Sequence, residues 1–265
     1  MATHGNHRKG SAISSKEKIM KITATIIAKD EEKNLPSAIH SVKDLVDEIV
    51  VVVDSRTADK TREAAAKFGA KCYLRDFDNF AGQKNFAVGQ ARGDWILSLD
   101  ADEEIPAELV EEIRKAVKSD EFDGYLIPRR NFLLGREIKH TRWSPDKHIW
   151  LWKKEKGRWQ GRIHEELIVS GKIGELKNAK IHNSYKTISE FLDMVNSYTE
   201  FEAEEKIRKG EKFNLIKAFC EPVYVFLLRY VYKKGFLDGW QGFILSYLMG
   251  IYSLTTWVKV WEKEE

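Results

Sequence analysis

The stretch Gly93-Asp94-Trp95-Ile96-Leu97-Ser98-Leu99-Asp100-Ala101-Asp102-Glu103-Glu104 decides the fold. Trp95 to Leu99 is a short apolar run, long enough for a buried strand and too short for a helix. It delivers Asp100 and Asp102 at its carboxyl end, and ligands of open α/β sheets bind in the crevice beyond that end. Two carboxylates one residue apart, on chain just leaving a strand, can converge on one hard divalent cation. Such a cation can clamp the phosphates of a nucleotide. The plainer alternative is an acidic turn that ends a strand and caps the helix from Pro106. D-x-D is common by chance, so the flanking sequence has to decide.

Upstream, Ile22 to Ala28 is β-branched and apolar, a buried strand. Leu35 to Val42 is predicted helical with Pro36 in its first turn. Ile49 to Val53 is a second strand, ending on Asp54. Asp59 is placed to cap a helix over Lys60 to Phe68, which Gly69 stops. Lys71 to Arg75 is a weaker strand, and Gln83 to Ala91 a helix leading into the Trp95 strand. Strands alternating with helices this regularly predict a parallel sheet with covered faces.

Downstream, the pattern predicts an amphipathic helix over Val110 to Lys118 and strands at Gly124 to Pro128 and Ile149 to Lys153. Between those strands, Arg129 to Lys147 is basic and aromatic with weak structural signals, either an acceptor wall or lid or a plain excursion. Phe191, Met194, Val195, Tyr198 and Phe201 space a helix over Ser189 to Arg208.

The 265 residues suit one large domain with an appendage, and a net charge of +3 from near-balanced charges gives no reason to expect nucleic acid. Cys72 and Cys220 fit neither a disulfide framework nor a metal spacing. Residues 1–19 are polar, a tag or disordered arm without the apolar core of a signal peptide. The expected division is a catalytic domain over 20–188 and a helical region over 189–265. Within the latter, Phe213 to Trp261 is dense in aromatic and aliphatic residues. Its longest uncharged apolar run, Phe243 to Val258, falls short of the roughly 20 residues that cross a bilayer. A helical hairpin lying on a membrane surface is therefore expected, with packing on the main domain or a homo-oligomer contact as the alternative.

If the strands ending in Asp54 and Asp100 are neighbours, three carboxylates line one edge of the sheet. Asp54 can then accept from a pyrimidine imide N–H, Asp100 can take a ribose hydroxyl, and Asp102 remains for a metal. Lys84 is a candidate phosphate contact or a plain surface charge. Neither G-x-G-x-x-G nor G-x-x-x-x-G-K-[ST] occurs, which removes the usual dinucleotide and NTPase classes. His164-Glu165-Glu166 is not H-E-x-x-H, because position 168 is Ile; His164 is a metal ligand beside a general base, or a structural histidine.

Four motifs together carry a family resemblance: Lys29-Asp30-Glu31-Glu32-Lys33-Asn34-Leu35 after the first strand, Asp54 to Thr61 after the second, Gly82-Gln83-Lys84-Asn85-Phe86-Ala87, and Gly93 to Glu103. In this order and spacing, Met20 to about Leu167 resembles the family 2 glycosyltransferases, inverting enzymes of GT-A fold. Arg162-Ile163-His164-Glu165-Glu166-Leu167 and Gly235-Phe236-Leu237-Asp238-Gly239 narrow the likeness to the branch with lipopolysaccharide inner-core glucosyltransferases. The resemblance implies a Rossmann-like α/β nucleotide-diphospho-sugar transferase, a mostly parallel sheet flanked by helices, with a carboxyl-terminal helical appendage.

It also implies that Asp54 binds a uracil-type base, Asp100 binds ribose or metal-bound water, and Asp102 ligates Mg²⁺ or Mn²⁺. Asp30 or Glu31 would contact the nucleotide, although family members commonly carry a tyrosine-asparagine pair where Lys29-Asp30 stands. His164 would border the acceptor or approach the metal, and Glu165, with Glu166 in reserve, would be the general base. The implied partners are a nucleotide-sugar donor, a lipid-linked glycan acceptor and the inner face of the cell membrane, on which the protein would be peripheral and cytoplasmic. The competing classes are a nucleotidyltransferase, disfavoured by the missing Gly-rich loop, and a catalytically silent membrane scaffold.

Overall fold

The computed structural model describes residues 20–161 and 165–264, so the amino-terminal arm and His164 lie outside the described residues. Strands β1 (Ile22–Ala28), β2 (Glu48–Asp54), β3 (Lys71–Arg75) and β4 (Trp95–Asp100) run parallel in the order β3-β2-β1-β4. The chain thus builds outward on one side of β1 and then crosses to the other, which opens a crevice at the carboxyl ends of these strands. Register aligns Ile27 with Asp100 and Ala28 with Val53, so Asp54 and Asp100 leave the sheet at one rim.

Helices α1 (Leu35–Val42), α2 (Thr61–Lys67), α3 (Phe80–Gln90) and α4 (Ala107–Ser119) follow these strands. Helix α3 begins before the predicted Gln83, because the Asn79 side chain accepts the Gly82 N–H and nucleates an additional turn. Asp59 does hold the start of α2, accepting the Thr61 N–H, although Lys60 is the boundary residue. The core of this half is continuous and aliphatic, with Trp95 and Trp152 fully buried in it.

Past β4 the sheet turns mixed. Strand β8 (Lys147–Lys153) lies antiparallel between β4 and β6 (Gly124–Leu133). Strand β12 (Lys180–Tyr185) adds in parallel to β6 and antiparallel to the two-residue β5 (Glu103–Glu104). β7 (Arg136–Ile138) and β11 (Ile173–Glu175) also pair with β6, and β9 (Gly157–Gln160) with β10 (Glu166–Val169) forms a separate hairpin. β6 runs well beyond its predicted end at Pro128, so the first part of the basic connection is strand. Pro128 sits where β6 exchanges β8 for β12 as its partner, a position that tolerates a missing N–H.

The carboxyl-terminal region is helix α5 (Ile188–Arg208), helix α6 (Leu215–Leu227), a π turn, a 3-10 turn at Gly235–Asp238 and helix α7 (Gly239–Glu264). A Thr187–Glu190 capping box starts α5. Phe191, Val195, Leu245 and Leu248 pack with Leu133 and Ile138, joining the helices to the β6–β7 hairpin. The Gly235–Gly239 motif has a local reason: the buried Asp238 carboxylate accepts the backbone N–H groups of Lys139 and His140. The 26-residue α7 exceeds its uncharged run, and the stretch Gly235–Glu264 is long and apolar enough by composition to cross a membrane, with 44% of its most apolar window buried in the protein.

Candidate active site

The strand ends open into a cavity of about 1170 Å³, lined by Glu31, Asp54, Lys84, Asp100, Asp102, Glu165 and Glu166 together with residues of α5 and α7. Seven of the nine residues picked out in the sequence are therefore gathered in one space. Asp30 is not among the lining residues: it adopts a left-handed φ of 57° and its Oδ1 accepts the Ala58 N–H. Its neighbour Glu31, the other candidate for the nucleotide contact, does line the cavity.

Asp54 is buried, and both its oxygens are taken by Arg56, through Nε at 3.1 Å and Nη2 at 2.7 Å. These contacts hold its carboxyl below the usual range. Arg56 itself is largely exposed.

Lys84 is not a surface charge. Its ammonium is buried, 3.3 Å from Asp100 Oδ1 and 2.9 Å from Glu165 Oε1, with the Trp159 ring at 4.5 Å. Burial alone would push this ammonium down, but Asp100 and Glu165 reverse that and hold it well above an ordinary lysine. Burial likewise opposes ionisation of Asp100, and Lys84, Lys180 and Arg129 overcome it, keeping the carboxyl far below its ordinary value. Lys84, the candidate phosphate contact, lines the cavity as the counter-ion that lets two cavity carboxylates sit side by side. Glu165 stands at the cavity beside that ammonium, and Glu166 opens β10 more exposed.

Glu103 fixes the acidic turn from beneath. It is fully buried, accepts from Lys180 at 2.5 Å and Arg129 at 3.2 Å, and receives the Asp100 N–H at 2.8 Å. Desolvation pushes the Lys180 ammonium down to about 8, while Glu103 and Asp100 retain its charge. This pair, with the Trp150 ring 3.3 Å from the ammonium, holds the Asp100–Asp102 turn in place.

His182 on β12 is a residue that sequence reasoning missed. Its Nε2 is 3.1 Å from Asp102 Oδ2, and its Nδ1 is 2.6 Å from Asn131 Oδ1. Asn131 donates through Nδ2 to the Trp143 carbonyl and Asp146 Oδ2, so its Oδ1 is the acceptor that fixes the proton on His182 Nδ1. His182 Nε2 is thereby aimed at the Asp102 carboxylate, and the Ser184 hydroxyl also reaches Nδ1, at 3.0 Å. Two electron-pair donors this close share a proton or a cation, and an imidazole oriented by a partner on its other nitrogen is the usual metal-binding form. Among the described residues no cluster of three or more His, Cys, Asp and Glu could hold a metal. Asp102 and His182 are the residues at this rim that could offer a divalent cation one carboxylate and one imidazole. The only hint of His182 in the sequence is the alternation Lys180, His182, Ser184, which is also that of any short half-buried strand.

The strand order, the crevice at the switch point and the acidic turn define a nucleotide-sugar transferase of GT-A fold, and residues 23–173 match the model of glycosyl transferase family 2. The chain belongs to this family. An uncharacterized glycosyltransferase of Rickettsia typhi is 31% identical over 85% of this chain and 82% of its own length. A lipopolysaccharide core biosynthesis glycosyltransferase of Rhizobium meliloti, LpsC, is 26% identical over 91% of this chain and 92% of its own. Among solved structures, Staphylococcus aureus TarS in complex with UDP-GlcNAc superposes with a TM-score of 0.46 at 15% identity, covering 89% of this chain and 82% of that one. Glucosyl-3-phosphoglycerate synthase of Mycobacterium tuberculosis, solved with Mn²⁺, UDP and glucosyl-3-phosphoglycerate, gives 0.47 at 16% identity, covering 78% and 87%.

Proposed function

We propose that this glycosyltransferase moves a hexose from a UDP-sugar to a hydroxyl of a lipid-linked glycan, such as the lipopolysaccharide core, with inversion and with a divalent cation bound. The observation that carries the proposal is the Asp102–His182 pair at the rim where Asp54 and Asp100 also end. Held there, Mg²⁺ or Mn²⁺ would offset the charge that grows on the departing diphosphate.

The chain's own residues supply the rest. Asp54, released from Arg56, accepts the imide N–H of the uracil, with Glu31 beside the nucleotide. Asp100, kept ionised by Lys84, accepts a ribose hydroxyl. Glu165 is the general base, and it takes the proton of the acceptor hydroxyl as that oxygen attacks the anomeric carbon opposite the diphosphate. Lys84 engages Glu165 through Oε1 among the described contacts, which leaves the second carboxylate oxygen for the acceptor. Glu166 is the reserve candidate at the same mouth.

A lipid-linked acceptor is supported by the likeness to LpsC, a lipopolysaccharide core biosynthesis glycosyltransferase, over 91% of this chain, and by the apolar outer faces of α6 and α7. On this basis the protein works as a peripheral protein at the cytoplasmic membrane surface. The test is turnover of a panel of UDP-sugars with Mn²⁺ or Mg²⁺, on wild type and on Asp102→Ala and Glu165→Gln. Both substitutions should abolish transfer, and Glu165→Gln should leave UDP binding intact. Full activity in either variant would overturn the assignment of that residue.

A further inference from the structure

At about 1170 Å³ the cavity exceeds the upper end, about 1,000 Å³, of what one small ligand usually takes. One of its walls is α5, and the residues there have no part in the chemistry assigned above. Tyr198 is central to this wall. Its ring stacks on Phe80 of α3, with centroids 6.0 Å apart. Phe80 and Lys84 are four residues apart on one face of α3, and the Lys84 ammonium holds Glu165 at 2.9 Å. Tyr198 therefore stands over the same helix face as the proposed base. Burial, and then the charges of Glu165 and Asp100, push its phenol up to about 12, so the hydroxyl keeps its proton. That hydroxyl meets no hydrogen-bond partner among the described residues.

The rest of the wall offers donors and no free charge. Asn196 Oδ1 accepts from Lys259 of α7 at 3.0 Å, which leaves the amide N–H groups of this exposed side chain unpartnered among the described residues. The Lys259 ammonium is fully engaged, by the Asn196 carbonyl, by Asn196 Oδ1 and by Glu200 Oε2 at 3.2 Å. Glu200 is matched in turn by Lys259 and by Lys263, which lies 2.6 Å from Oε1. Phe201, one helical turn beyond Tyr198, lines the cavity and is 42% exposed.

Such a wall suits a ligand rich in hydroxyls. A phosphate or carboxylate finds no unpaired cation on it. An acyl chain would strand the Tyr198 hydroxyl and the Asn196 amide without partners. A sugar ring satisfies both, because its hydroxyls accept from the phenol and the amide while its C–H face packs on Phe201.

We propose that the α5 wall is the acceptor subsite, where Tyr198 and Asn196 hold the terminal sugar of the acceptor glycan. Tyr198 donates to the hydroxyl beside the attacking one, which fixes the ring so that the attacking hydroxyl faces Glu165. This names the acceptor side of the reaction proposed above and rests on that reading.

The experiment titrates deacylated lipopolysaccharide core oligosaccharide into the full chain by calorimetry, with and without UDP and Mn²⁺, and titrates UDP with Mn²⁺ separately. Wild type should bind both ligands. Tyr198→Phe, which keeps the ring on Phe80, should weaken the oligosaccharide about tenfold, the scale of one lost hydrogen bond, and hold UDP as wild type does. Asn196→Ala should weaken the oligosaccharide by a similar factor. Steady-state transfer should show the same division in Tyr198→Phe: the KM for the oligosaccharide rises about tenfold while that for the UDP-sugar stays. A Tyr198→Phe protein that binds the oligosaccharide as tightly as wild type overturns the proposal. So does one that loses both ligands together, which marks a structural role, and so does a wild type that binds no oligosaccharide under either condition. A wild type that binds the oligosaccharide through Tyr198 but takes up no UDP sinks the UDP-sugar reading and leaves the glycan subsite standing.

Discussion

Asp102 Oδ2 and His182 Nε2 face each other at 3.1 Å across the gap between the acidic turn and β12, although 80 positions separate them in the chain. With Asn131 holding the ring through Nδ1, the pair is the cation seat of the proposed reaction. His182→Gln should therefore lower transfer by at least about a hundredfold, the scale of losing one electrostatic stabiliser of a leaving group. Calorimetric titration of Mn²⁺ in the presence of UDP should lose its heat in the same variant, and unaltered titration would refute the seat.

Asn131 touches the ring and not the cavity chemistry. Asn131→Leu should weaken Mn²⁺ binding by about 10- to 100-fold through the freed imidazole, as partners behind a metal-bound histidine typically do. Raising the Mn²⁺ concentration should restore much of the lost rate, and a variant beyond such rescue would speak against a positioning role.

The buried Lys84 ammonium separates two half-buried carboxylates, Asp100 and Glu165. Lys84→Met should cost about 3–5 kcal/mol, since one partner of a buried ion cluster is lost and the others remain charged. Urea unfolding reads the loss. Adding Glu165→Gln to Lys84→Met should recover part of it, because the repulsion then disappears, and strict additivity of the two changes would disprove the coupling.

Glu31 has a carboxyl raised from 4.5 to about 7, by burial first and then by Asp102, Asp59 and Asp100, with the Asn34 hydrogen bond opposing. Between those two pH values the folded chain holds a proton that the unfolded chain has released, so stability falls as pH rises through the window. The full effect is at most about 3 kcal/mol. In metal-free buffer the urea midpoint should drop from pH 5 to pH 7.5 in wild type, and Glu31→Gln should flatten much of that slope.

Gly242 of α7 lies against the Gly235 carbonyl so closely that an added Cβ would stand 1.9 Å from its oxygen. Gly242→Ala should destabilise by about 2–3 kcal/mol, the range of overpacking at a rigid contact. Because the 3-10 turn carries Asp238, loosened protection of the Lys139 and His140 amides by hydrogen exchange should accompany the loss.

Local sequence determined the nucleotide half of the molecule. The runs Ile22–Ala28 and Trp95–Leu99 have no other way to bury themselves than as central strands, and a strand hands on whatever residues follow it, so Asp54, Asp100 and Asp102 were legible from their neighbours alone. The same holds for α5, whose capping box and apolar spacing lie within its own residues. Tertiary structure decided the rest. Whether Lys84 meets solvent or Glu165, whether the sheet beyond β4 runs parallel, and which histidine answers Asp102 all depend on contacts between segments tens of residues apart. β12 carries His182 to the acidic turn because β6 and β5 flank it, and pairing partners of that kind are chosen by packing across the whole domain, which no window of the sequence contains.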